Sequence, residues 1–400
     1  MSKFNFKIKK EDSNSKARLG LIKTRHGSFS TPIFIPVATL ATIRALDQQD
    51  IKKLKAEAIL ANTYHLHLRP GEKLIESLGG LHKFMSWDKP IITDSGGFQA
   101  FSLGFGMEHE IGKIAYFPKN IKHHKKGEKW AYVDDSGVTF RNPYHGEKIK
   151  LTPRKSMEIQ ASLGADIIFS FDECTSPLSN KEYTKEALIR THKWAKICLE
   201  YRNRNQALFG IVQGGKYKDL RIKSTKFISS LPFDGFGIGG SLGKSKKDMH
   251  NILEWTIPLL PKEKPRHLLG IGAVEDLFNA IERGIDMFDC VAPTRWARRG
   301  HLYISPSEGG GKKNKFRIDI GKSAYKKDDR PIDRNCNCYV CRNYSRAYLR
   351  HLFISKELSY FRLASFHNLN FILRLIDKIR IAIKENSLKR LKKEWLSTDK

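Results

Sequence analysis

Eight short apolar runs, each closed by glycine or polar residues and followed by a stretch of helical spacing, limit what this chain can fold into. They are IFIPVA (33–38), AILANTY (58–64), PIITDSG (90–96), DIIFSFDE (166–173), LFGIVQGG (208–215), DGFGIGG (234–240), HLLGIG (267–272) and DMFDCV (286–291). The stretches between them, such as PRKSMEIQASLG, KEALIRTHKWAKICLEY and AVEDLFNAIERG, repeat apolar residues at three and four. Several open with Pro or close with Gly, as helix ends do. Repeated βα units argue for a parallel sheet, and eight of them for a closed (β/α)8 TIM-type barrel. An open doubly wound sheet is the competitor, but no G-x-G-x-x-G opens a helix here. The expected fold class is α/β, a (β/α)8 barrel.

In such a barrel the chemistry gathers where strands end, at the C-terminal face. These strands end in Asp94, Asp172, Gln213, Gly240 and Asp289. The last run is the most pointed: DMFDCVAPTRWARRG (286–300) places a carboxylate, Asp289, just before Pro293 stops the strand. Arg295, Arg298 and Arg299 follow within ten residues. A carboxylate beside a guanidinium cluster suits a nucleophile that works on a polyanion, although a strand-end cap with solvated arginines has the same appearance.

Two stretches interrupt the rhythm. Residues 104–150 are too long for a βα loop and hold the basic run Lys119–Lys129, followed by the alternating GVTFRNPYHGEKIKL of a small hairpin. The run reads either as a lid facing a nucleic acid or as a solvated loop. The second interruption is everything after Gly300: a Gly/Ser/Lys stretch near 305–314, a cysteine cluster, and a basic helix FILRLIDKIRIAIKENSLKRLKKEWL. The expected organisation is a catalytic barrel over 1–300, with a β-hairpin lead-in turning at Arg25-His26-Gly27 and an insertion near 104–150, and an appended zinc-binding subdomain over 301–400.

Lys and Arg number 72 against 42 Asp and Glu, a net charge of +30. That excess draws a protein to a polyanion. No segment approaches the ~18 apolar residues of a spanning helix, and the first residues hold no signal-peptide core, so nucleic acid is the expected partner rather than membrane. Six cysteines in a large chain without an export signal point to a reducing cytoplasm. Cys336, Cys338 and Cys341 are close enough to meet one ion, and zinc normally takes four ligands. His351 and His367 both stand as candidates for the fourth. A closed Cys3His set would be structural, holding one Zn2+. His65 and His67 form a rival His-x-His at a strand end, of the kind amidohydrolase-type enzymes use for metal. That reading needs further histidines at later strand ends, where Gln213 and Gly240 stand instead.

NTYHLHLRPG (62–71), DSGGFQAFSL (94–103), FDECT (171–175), GIVQGG (210–215), GFGIGG (235–240), GIDMFDCVAPTRWARRG (284–300) and CNCYVCRNYSRAYLRHL (336–352) together resemble the tRNA-guanine transglycosylases of the queuosine-forming type. The resemblance runs from about residue 17 to 385. It implies a zinc-containing (β/α)8 barrel that exchanges guanine at the wobble position of GUN anticodons for a 7-deazaguanine, either 7-aminomethyl-7-deazaguanine or queuine. By motif, Asp289 resembles the nucleophile at C1′ and Asp94 the general acid/base. Asp172, Gln213 and the backbone at Gly240 would read the base edge, with Phe98 and Leu269 stacking it. Arg295 and Arg298 would grip the anticodon. The family's zinc histidine falls 26 residues after the last cysteine, which selects His367. Implied partners are tRNA, free guanine and 7-deazaguanine bases, and a second copy in a homodimer.

The chemistry agrees with those assignments. Breaking an N-glycosidic bond builds positive charge at C1′, which a carboxylate can stabilise and then bond, and two displacements retain configuration. The base must leave the anticodon stack to be reached. The sequence departs from the family after the sixth strand, where GGSLGKS replaces the bacterial GGLAVGE. Gly243 stands where bacterial members have Val, which suggests a pocket open to the bulkier queuine. The alternatives are a non-catalytic tRNA-binding partner subunit of the same fold and a metal-dependent hydrolase using His65 and His67.

Overall fold

The computed structural model of the chain describes residues 4–100, 131–240, 242–243 and 245–397. All eight apolar runs form strands of one parallel sheet: 33–38, 59–61, 91–93, 167–169, 207–212, 235–238, 266–268 and 287–289. The first is split at Pro36. Ile33–Ile35 pairs with Met287–Asp289, whereas Val37–Ala38 pairs with Leu60–Ala61, so the sheet's two edges meet in a single run and the barrel closes. Pro36 has no N–H to give either neighbour, which is why the strand breaks there.

The interior is filled by side chains. Ile35, Ile92, Ile167, Phe169, Phe209 and Met287 belong to one buried cluster that continues into Ile22 and Phe29 of the N-terminal lead-in. At Gly235 an added Cβ would lie 2.5 Å from the Phe209 ring, so glycine there makes room for the phenylalanine. The lead-in is a three-stranded antiparallel sheet (5–11, 18–24, 27–31), one strand more than the expected hairpin. It covers the N-terminal end of the barrel. Arg18 there grips both oxygens of buried Asp286, at 2.8 and 2.7 Å, just before the last strand.

The helices end as their residues dictate. Thr152 caps helix Pro153–Leu163 with Pro at its first position, and Gly164 closes it at φ 74°. Ser245 and Asp248 form a reciprocal capping box on Lys246–Thr256. In the insertion, the described part is a three-stranded antiparallel sheet (131–134, 137–141, 148–151). The basic run Lys119–Lys129 lies outside the described residues.

Beyond Gly300 the stretch 305–314 joins two paired strands, His301–Tyr303 and Arg317–Asp319. The basic terminal segment is not one helix. Leu358–Lys384 runs unbroken for 27 residues, and a second helix, Leu388–Leu396, follows a break where Asn386 takes φ 54°. The long helix is clamped to the barrel. Arg362 donates to both oxygens of Asp50 at 2.8 Å, and Arg380 donates to the Pro32 and Ser30 carbonyls at 2.7 and 2.6 Å.

Candidate active site and metal centre

The strand ends converge on a cavity of about 640 Å³ at the C-terminal face. Asp94, Phe98, Asp172, Gly240, Leu269, Asp289, Arg295 and Arg298 all line it. Gln213, the remaining predicted base reader, sits one bond behind.

Asp94 ends the third strand. Its Oδ1 accepts the Thr63 backbone N–H at 2.8 Å, and its Oδ2 accepts Gln99 Nε2 at 3.0 Å and the Asn62 amide. Asn62 and Thr63 open a short helix, Thr63–Leu68, where sequence periodicity continued the strand to Tyr64. Asn62 accepts from His65 N as the helix cap, so one side chain starts the helix and braces Asp94.

Asp172 and Gln213 form a buried pair, with Gln213 Nε2 donating to Asp172 Oδ2 at 2.5 Å and Ser95 Oγ donating to Oδ1 at 3.4 Å. Gln213 Oε1 is buried without a hydrogen-bond partner. An orphaned buried acceptor costs free energy that an incoming donor relieves. Behind the pair, fully buried Arg221 donates to the carbonyls of Val212, Gly215 and Gly239 at 2.8 to 3.0 Å, tying together the loops after the fifth and sixth strands. Burial brings its guanidinium down to about 10.

On the opposite wall, Asp289 Oδ1 accepts the Gly270 N–H at 2.9 Å and lies 2.9 Å from His267 Nε2. Arg295 and Arg298 lie toward the mouth on the turn and helix Ala292–Ala297, and Arg44 comes from the loop after the first strand. Burial, and then the charges of Arg44, Arg295 and Arg299, push Arg298 below its usual range. Crowded cations of this kind are relieved by a polyanion.

The sequence profile of the queuine tRNA-ribosyltransferase family matches residues 12–400. The chain belongs to that family. It is 63% identical over 387 residues to the putative queuine tRNA-ribosyltransferase of Archaeoglobus fulgidus, covering 95% of this chain and 96% of the relative. It is 45% identical over 389 residues to the queuine tRNA-ribosyltransferase of Bacillus subtilis, covering 96% and 93%. As a queuine tRNA-ribosyltransferase family member the protein is a pentosyl-transferring enzyme. The rival hydrolase reading finds no geometry. His67 Nδ1 is 2.7 Å from Glu72 Oε2, and among the described residues neither His65 nor His67 joins a group of three ligand atoms. Burial, then Arg44, lowers the His65 imidazole below its ordinary value.

Cys336, Cys338, Cys341 and His367 do come together, their ligand atoms within 4.8 Å of one another. The three sulfurs stand 4.0, 3.6 and 3.3 Å from His367 Nδ1. Tetrahedral zinc with ordinary Zn–S and Zn–N bonds puts sulfur and nitrogen about 3.6 Å apart, so the set fits. His367 Nε2 is 2.8 Å from the Tyr303 carbonyl, which fixes the proton there and turns the Nδ1 lone pair toward the thiols. His351 is exposed on its helix.

Position 243 is less telling than its family comparison suggested. Gly243 is buried at φ 87°, and a Cβ there would strike Asp248 rather than reach the cavity. Sequence reasoning missed Arg44, Asn62, Gln99, Arg221 and His267. Asn62 carried a signal, since Asn before a helical stretch reads as a cap. Arg221 and His267 carried none.

Proposed function

We propose that this enzyme exchanges guanine at the wobble position of tRNAs with GUN anticodons for a 7-deazaguanine, through a covalent Asp289–ribose ester. The carrying observation is that Asp94 and Asp289, both held by defined donors, line one cavity together with Asp172, which Gln213 braces from behind. An Asp289 oxygen attacks C1′ as the C1′–N9 bond breaks, and the base leaves with a proton delivered through Asp94. The incoming base gives its N9 proton to Asp94, attacks C1′ and returns the electron pair to Asp289, so configuration is retained. Asp172 offers acceptor oxygens to the guanine N–H groups, and Gln213 and the Gly240 backbone read the rest of the edge. Phe98 and Leu269 stack the flipped base, and Arg295 and Arg298 bind the flanking phosphates.

In this reading residues 1–300 are the catalytic barrel with its insertion near 104–150, and 301–400 a subdomain held by one structural zinc on Cys336, Cys338, Cys341 and His367. Free thiols suit a reducing cytoplasm, and no described helix is long and apolar enough to cross a membrane. Homodimer formation draws support from an aromatic ladder on the surface, Tyr339–Tyr344–Tyr348, whose first and last rings are nearly half exposed. The incoming base, 7-aminomethyl-7-deazaguanine or queuine, is decided by mass spectrometry of tRNA after incubation with each. The test of mechanism is Asp289→Ala: labelled-guanine exchange falls by at least about 10³-fold with tRNA binding retained. Exchange at wild-type rate in Asp289→Ala would refute Asp289 as the nucleophile and with it the covalent reading.

A further inference from the structure

His267 sits in the seventh strand with no exposed surface and is not among the residues that line the cavity. Its ring meets Phe169 edge-on at 5.3 Å. Nε2 lies 2.9 Å from Asp289 Oδ1, and Nδ1 is buried without a hydrogen-bond partner. An ionised carboxylate only accepts, so a contact this short places the imidazole proton on Nε2. The Gly270 N–H donates to the same oxygen at 2.9 Å. One oxygen of Asp289 therefore holds two fixed donors, both supplied by the strand beside it and the loop that follows.

We propose that His267 is a positioning residue that divides the labour of the two Asp289 oxygens and assists release of the ester. The proposal rests on Asp289 being the nucleophile. With Oδ1 committed to His267 and Gly270, Oδ2 forms the bond to C1′. In the ester, Oδ1 becomes the carbonyl oxygen and keeps both donors. When the incoming base attacks C1′, the Oδ2–C1′ bond breaks and its electron pair spreads over the carboxylate, where the two donors stabilise it. A donor on a carboxylate makes it a weaker nucleophile and a better leaving group. Removing His267 therefore slows the second displacement more than the first.

This gives a signature that a structural defect does not share. A hydrogen bond to a charged group is worth roughly a 10- to 100-fold change in rate when realised in the transition state. In His267→Phe, kcat for guanine exchange falls by about that factor and KM for tRNA stays within about twofold. The share of enzyme trapped as the RNA adduct on a denaturing gel, with guanine present, rises above wild type. His267→Gln, whose amide reaches as far as Nε2, restores both kcat and the low adduct level. Should His267→Phe not fold, His267→Asn, whose amide stops short of Asp289, must show the same surplus of adduct. An adduct level that falls in step with kcat, or a folded His267→Phe with wild-type kcat and adduct, overturns the proposal. An adduct that survives Asp289→Ala instead overturns the nucleophile assignment beneath it.

Discussion

Asn368 offers a sharp test of how the helix that carries His367 supports the wall that holds Asp289. It is fully buried in the turn after His367. Its Oδ1 accepts the Tyr303 N–H at 2.9 Å, and its Nδ2 donates to the Pro293 and His301 carbonyls at 3.0 and 2.9 Å. One amide thus joins the helix Leu358–Lys384, the strand His301–Tyr303 and the turn that follows Asp289. Asn368→Leu nearly preserves volume while leaving three buried backbone groups without that partner. Each orphaned group costs about 1–3 kcal/mol, and local relaxation brings the total to roughly 3–6 kcal/mol. Unfolding entropy of about 2.1 cal/mol/K per residue makes roughly 0.8 kcal/mol/K for a chain of 400 residues, so the melting temperature drops by about 4–7 °C. Scanning calorimetry of the zinc-loaded protein measures it. Asn343→Leu serves as control, because that amide bonds the Tyr339 carbonyl at an exposed helix and should move the melt by less than about 1 °C. A shift in Asn368→Leu no larger than the control's, with metal retained, would refute the account of this junction.

Metal analysis should find one zinc per chain, lost in Cys338→Ser and kept in His67→Ala. Structural zinc is worth about 10–16 kcal/mol in small domains, so the loss should melt the 301–400 region well before the barrel; an unchanged melt would sink the structural role. Glu72 predicts a pH effect. Burial alone would raise its carboxyl, but hydrogen bonds from His67 and Lys155 outweigh it and pull the group from 4.5 to about 2. A depressed carboxyl stabilises the fold above its unfolded value, and that contribution is lost as pH falls from 4.5 toward 2. The melting-temperature gap between wild type and Glu72→Gln should therefore be widest above pH 5 and shrink by pH 3, and a pH-independent gap contradicts it.

The strands were legible because a parallel barrel buries short runs on both faces, leaving eight apolar blocks with few rivals in the sequence. Their C-terminal limits were not, since polar residues past a strand extend a loop or start a helix with equal ease; Asn62 does the latter. Asp94, Asp172 and Asp289 stood out as carboxylates against apolar runs. His267 did not, because a histidine opening an apolar strand looks the same whether it packs or holds a carboxylate, and only the register with Asp289 separates the two. The terminal helices were misread because their apolar spacing runs on past Lys384; a positive φ at Asn386 breaks them, a feature that composition does not announce. His351 and His367 were equivalent by chemistry alone; the family resemblance selected His367, and its place among the three cysteines, against the Tyr303 carbonyl, agrees.

The seam at Pro36 has a consequence for synthesis. Strand 33–35 completes its hydrogen bonding only with 287–289, so a nascent chain carries an open edge through most of its translation. Such an edge invites pairing with a neighbouring polypeptide on the same polysome. Expression at reduced temperature, or fusion arrangements that free the C-terminal third promptly, should therefore raise the yield of monodisperse protein more than any change at the mouth of the cavity.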